Sequence, residues 1–184
     1  MSTPFYTRRG DDGDTGLLGD ERASKDDVRI EAFGAVDEAG AALGIARAVG
    51  RAPETGPMLL QVQRDLYGLM GELAATPANA ARFRVIDASR VTWLEAQIDA
   101  LAALVKVPKE FIVPGDRVEG AFLDLARTVV RRAERRVVSL YRQGGFENKE
   151  LLRYLNRLSS LCFLLELREV QFAGNDRLTL AKEG

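Results

Sequence analysis

Histidine is absent from the 184-residue chain. That absence removes His-ligated zinc and iron sites, Ser-His-Asp hydrolysis and imidazole acid–base chemistry. It also removes the Glu-x-x-His ligand pairs of di-iron helical bundles. Cysteine occurs once, at Cys162, so no internal disulfide can form, which fits a reducing cytoplasm. The net charge of −1 supplies no overall field for drawing in nucleic acid or an anionic membrane, and neither is expected as a partner. No basic region followed by an apolar run opens the sequence, and no apolar run is long enough to span a bilayer.

What remains is an ordinary globular composition, with 46% hydrophobic and 29% charged residues. Chemistry must come from Arg, Lys, Asp, Glu, Asn, hydroxyls and backbone amides. Those groups suit phosphate binding and charge stabilisation better than proton shuttling. The length fits a single domain over 1–184, divided into a polar leader (1–25), a helical body (26–172) and a tail (173–184).

The leader reads as no regular element. Gly10, Gly13, Gly16 and Gly19 recur among Asp11, Asp12, Asp14 and Thr15, so its backbone can approach a ligand closely. With Thr7, Arg8, Arg9 and Lys25 as donors, such a loop can wrap a polyphosphate, and its carboxylates can sit beside Mg²⁺. The same residues also suit a solvated terminus. The loop is not a P-loop, because it lacks the Gly-Lys-Ser/Thr ending.

From Asp26 the apolar spacing turns helical. Helices are expected from Asp26 to about Val49, from about Pro57 to Ala75, and from a Ser89 cap through Leu104. Two more are expected, from about Val118 to Arg142 and from about Asn148 to Phe172. Pro108 and Pro114 bracket a short apolar stretch, Phe111-Ile112-Val113. The tail offers one weak strand pattern at Leu178-Thr179-Leu180. These elements predict an all-α, up-and-down five-helix bundle with an extended N-terminal loop.

The fourth helix carries the densest charge. Phe122, Ala126, Val129, Val130, Ala133, Val137 and Leu140 form its apolar stripe. Arg127, Arg131 and Glu134 share one flank at i, i+4 and i+7, and Arg132 and Arg136 occupy the other. A charged solvated face explains that pattern as well as a ligand site does. Asn156 and Arg157 in the last helix, Asp37-Glu38 in the first, and Phe111 admit structural explanations too. Cys162, set among leucines, reads as core.

Taken in order, these stretches resemble the PduO-type cobalamin adenosyltransferases, from Tyr6 to about Val170. The resemblance rests on Tyr6-Thr7-Arg8-Arg9-Gly10-Asp11-Asp12-Gly13, Thr15-Gly16-Leu17, Ser24-Lys25-Asp26-Asp27 and Phe33-Gly34-Ala35-Val36-Asp37-Glu38. It continues through Phe111-Ile112-Val113-Pro114-Gly115, Ala126-Arg127-Thr128, Arg131-Arg132-Ala133-Glu134-Arg135 and Tyr154-Leu155-Asn156-Arg157-Leu158-Ser159. It implies a ferritin-like five-helix bundle that assembles as a homotrimer, with active sites between subunits. ATP and Mg²⁺ would be held by Thr7, Arg8, Gly10, Asp11, Gly13, Thr15, Lys25, Arg131, Glu134 and Asn156. Glu134 and Asn156 would be the candidate neighbours of Mg²⁺. Asp37 and Arg127 would form an ion pair beside the corrin, and Phe111 with Ile112 would crowd its lower face. Four-coordinate cobalt is easier to reduce to Co(I), which then attacks the 5′ carbon of ATP as triphosphate leaves. The resemblance points to a reductase and an adenosylcobalamin-dependent enzyme as candidate partners.

Several positions depart from that family pattern. Gly40 stands where asparagine is usual, Asp116 where a second glycine is usual, Asp124 for a histidine, and Ser160 for an aspartate. Asp14 adds a negative charge to the phosphate loop. A non-catalytic ATP- or corrinoid-binding sensor or delivery protein is the alternative reading, and a plain helical scaffold is a third.

Overall fold

Asp27 starts the first helix by accepting the amide of Arg29 at 2.7 Å, an ordinary side-chain cap for an exposed amide. The computed structural model describes Tyr6, residues 8–174 and residues 178–182. Among the described residues five helices follow one another: α1 (Val28–Val49), α2 (Thr55–Ala74), α3 (Ala88–Ala102), α4 (Val118–Arg142) and α5 (Glu150–Phe172). One 3₁₀ turn, Ala80–Phe83, lies between α2 and α3. The architecture is the expected helical bundle. Among the described residues no helix is long and apolar enough to cross a membrane.

Directions can be read from the ties at the two ends. Arg29, at the start of α1, donates to Leu73 O at 2.7 Å and Ala75 O at 3.3 Å at the end of α2. Its other terminal nitrogen reaches Gly145 O, just past α4, at 2.8 Å. Glu169, near the end of α5, accepts the amides of Arg51 at 3.0 Å and Ala52 at 3.1 Å, and the Thr55 hydroxyl, at the entry to α2. Helices α1, α3 and α5 therefore run one way, and α2 and α4 run the other. In space α4 lies between α1 and α5, with α2 against α1 and α3 against α5.

The core is continuous across all five helices, from Val36 and Leu43 through Leu66 and Leu94 to Val130 and Leu158. On α4 the buried stripe contains Leu123 rather than Phe122, which is half-buried. Cys162 is fully buried, and burial pushes its thiol up to about 12. The turn after α4 needs glycine at two successive positions. Gly144 has φ of 75°, and a Cβ on Gly145 would collide with the Leu140 side chain.

Three local readings need correction. The cap of α3 is Asp87, which accepts the Arg90 amide at 2.9 Å, while Ser89 donates its hydroxyl to Asp87 at 2.6 Å. Helix α3 then ends at Ala102, short of Leu104. The leader is not all loop, since Asp14–Gly16 (β1) pairs antiparallel with Arg22–Ser24 (β2). A parallel bridge from Leu18 to Ala75 fastens this hairpin to the end of α2. In the tail, pairing is a single antiparallel bridge from Leu180 to Ile112.

Candidate active site

The two flanks of α4 expected from its spacing face different helices. Arg132 pairs with Glu38, and Arg136 with Glu31 at 3.7 Å, both on α1. On the other flank Glu134 Oε1 accepts from Asn156 Nδ2 of α5 at 3.0 Å, and Arg157 donates to Asn156 Oδ1 at 3.0 Å. Asn156 is thus oriented by a partner on each side.

Arg127 and Arg131, on the Glu134 flank, open into a cavity of about 680 Å³ between α4, α5 and the segment 107–114. Phe111 and Ile112 line it together with Asp124, Ser159 and Glu166. Phe111 is 87% exposed, so its ring is available to whatever fills the cavity and is not part of the core. Arg131 is exposed and has no ion-pair partner among the described residues, which leaves its guanidinium free for an anion.

Arg127 is already engaged. Asp124, one turn earlier, takes its guanidinium at 2.6 and 2.8 Å. Asp37 lies on the exposed face of α1 and makes no ion pair among the described residues. The expected Asp37–Arg127 pair is therefore not made within one chain. On α1 it is Glu31 and Glu38 that meet α4, while Asp37, next to the buried Val36, stays exposed.

Glu166 is the residue without a motif. Its only signal in the sequence is a carboxylate set inside the apolar run Cys162–Leu167. It is buried, its Oε2 has no hydrogen-bond partner among the described residues, and it lines the cavity. Burial pushes its carboxyl up to about 7; Asp124 adds to the rise and Arg127 opposes it.

The leader forms a separate cleft. Lys25 lines a cavity of about 370 Å³ with Gly34, Glu38, Arg132 and Arg136. Its amine donates to Gly10 O at 2.5 Å and its amide to Gly13 O at 2.8 Å. A side chain at Gly10 would meet Lys25 Nζ at 3.1 Å, and Gly13 has φ of 90°. Both glycines thus serve the tight wrap of the loop around Lys25. Asp11 and Arg8 share that loop, with the Asp11 amide on Arg8 O at 3.4 Å, and Thr15 is held in β1 opposite Ala23. Thr7 lies outside the described residues. One chain therefore brings Phe111, Ile112, Arg127 and Arg131 together at one cavity, and the Gly10–Lys25 group together at another.

No group of three or more carboxylate or thiol side chains is placed to hold a metal among the described residues.

Comparison with known proteins bears on the family and the fold. The chain is 39% identical over 163 residues to a corrinoid adenosyltransferase of Bacillus subtilis, covering 86% of this chain and 82% of the relative. It is 39% identical over 160 residues to one of Citrobacter freundii, covering 86% and 90%. A solved variant of a PduO-type ATP:corrinoid adenosyltransferase from Lactobacillus reuteri, complexed with cobalamin and ATP, superposes with a TM-score of 0.87 at 31% identity. That match covers 98% of this chain and 97% of the other. Residues 5–169 match the family model described as cobalamin adenosyltransferase, and the chain belongs to that family.

Proposed function

We propose that this protein transfers the 5′-deoxyadenosyl group of ATP to the Co(I) of a reduced corrinoid, releasing triphosphate. The observation that carries the reading is the 680 Å³ cavity, where an apolar mouth (Phe111, Ile112) stands beside the unpaired Arg131. A corrin needs the first surface and a departing polyphosphate needs the second.

Co(I) is itself a strong nucleophile. It attacks C5′ with its own electron pair, the C5′–O bond breaks, and that pair leaves on the triphosphate. No proton moves at the reacting atoms, so a chain without histidine loses nothing. Arg131 stabilises the charge that grows on the leaving group, and Glu134 holds Asn156 in reach of the phosphates. Mg²⁺ would arrive on the phosphate oxygens and neutralise part of their charge, with Glu134 and Asn156 beside it. Phe111 occupies the lower axial side of the cobalt and disfavours a fifth ligand, which eases one-electron reduction of Co(II).

The nucleotide site is shared between copies of the chain. Lys25 and its loop face a cleft on the α1 flank of α4, whereas Arg131 faces the α5 flank. Juxtaposing one copy's leader with its neighbour's Arg131 completes the set, and the same contact supplies Asp37 to the neighbour's Arg127. Any closed assembly gives every copy both roles, and the resemblance to the family makes that assembly a homotrimer. A reductase and a user of the adenosylated product belong with it in a reducing cytoplasm.

The test is anaerobic mixing of the protein with chemically generated cob(I)alamin and Mg-ATP, followed in the visible spectrum. Conversion to adenosylcobalamin is expected. Tight ATP binding without conversion would replace this reading with a sensor or delivery role.

A further inference from the structure

The segment that presents Phe111 is held by the C-terminal tail. Ala181 donates its amide to Phe111 O at 2.7 Å, and Val113 donates to Thr179 O at 2.8 Å, so the two bonds bracket Ile112 opposite Leu180. The tail is pinned in turn by one side chain. Asp116 accepts the Thr179 amide on Oδ2 at 2.9 Å and the Thr179 hydroxyl on Oδ1 at 2.7 Å. Gly115, at φ of 129°, makes the turn that aims Asp116 back at the tail. The exposed Phe111 ring has little packing of its own, so its position depends on this backbone clip.

We propose that Asp116 and Thr179 are positioning residues for Phe111: the carboxylate fixes the tail, and the tail fixes the strand that carries the ring at the cavity mouth. Asp116 makes this grip with its side chain alone. A glycine there has no side chain to grip a hydroxyl and an amide at once. The proposal rests on the adenosyl-transfer reading for its catalytic consequence, though the clip itself can be measured without it.

The experiment compares the wild-type chain with Asp116→Ala and Asp116→Asn on two substrates, each with Mg-ATP. One is pre-formed cob(I)alamin. The other is cob(II)alamin with dihydroflavin as the one-electron donor. Asp116→Ala is expected to be about tenfold slower from Co(II), where ring placement matters, and within about twofold of wild type from Co(I). Asp116→Asn keeps an oxygen for the Thr179 amide and should recover most of the Co(II) rate. Equal losses on both substrates, or no loss on either, would overturn the proposal. Hydrogen exchange reads the clip directly: the Val113 and Ala181 amides should be protected in wild type and released in Asp116→Ala. Unprotected amides in wild type would overturn the clip. A wild type inert on both substrates would instead defeat the adenosyl-transfer reading, with exchange still deciding the clip.

Discussion

Glu166 shows how much one side chain can change in a buried setting. Its carboxyl titrates near 7 against an ordinary 4.5, chiefly because burial disfavours the anion. Between those values the unfolded chain has released this proton and the folded chain has kept it. Stability contributed by Glu166 is therefore full below about 4.5, falls as pH rises to about 7, and is flat above that. The total is on the order of 2 kcal/mol after discounting for solvent screening at the cavity opening. Glu166→Gln should remove that slope in denaturant titrations run from pH 4 to 8; an unchanged slope would assign the proton elsewhere. Phe111→Ala makes the complementary prediction for chemistry. Its turnover should suffer far more from Co(II) with a weak reductant than from pre-formed Co(I), and equal losses would reduce Phe111 to a packing role. The exposed state of Phe111 was not legible in the sequence, because the Phe111–Val113 run has the composition of either a core strand or a ligand surface. Asp124 was visible as a departure, but its capture of Arg127 depends on both residues lying on the same flank of α4.

At the level of elements, helices with long apolar stripes were legible and short pieces were not. The cores of α1, α4 and α5 follow from 3.6-residue spacing, since each buries a face for about four turns or more. The three-residue strands β1 and β2, made of Asp-Thr-Gly and Arg-Ala-Ser, carry no alternation to detect. The Asp87 cap was missed because Ser89 is an equally good cap by type, and the buried Ile86 decides where the chain enters α3. Interior carboxylates are invisible for a different reason. Asp65 meets the Tyr154 hydroxyl at 2.6 Å and Arg90 at 2.8 Å, and both partners are remote in sequence. Glu169 is the sharpest case, because it receives two backbone amides and a hydroxyl at the entry to α2. Glu169→Ala would strand those donors and should destabilise the fold by roughly 2–3 kcal/mol. Chemical denaturation checks it, and a loss under about 0.5 kcal/mol would show that water replaces the carboxylate without penalty.

For the whole molecule, the decisive fact is that one α4 serves two places. Its α1 flank faces the Lys25 cleft and its α5 flank faces the Phe111 cavity. If a complete nucleotide site takes Lys25 from one copy and Arg131 from the next, two defective chains can repair each other. Lys25→Ala and Arg131→Ala should each be nearly inactive alone. Mixed one to one through unfolding and reassembly, they should recover about a quarter of wild-type activity, because one interface in four joins two intact halves. Recovery no greater than the parents' sum would place the whole site inside a single chain. Sequence spacing predicted the two flanks, but it could not say that they face different helices and different cavities.

The ties at the ends of the bundle have an evolutionary consequence. Arg29 gathers stray carbonyls where the leader joins α1, and Glu169 gathers stray amides at the opposite end, near the entry to α4 and the segment carrying Phe111. Each is a single side chain matched to the polarity of the helix ends it meets. A lineage can therefore soften one end without loosening the other. The end beside the Lys25 loop and the end beside the Phe111 segment are each closed by their own side chain, so a change at one need not be answered by a change at the other.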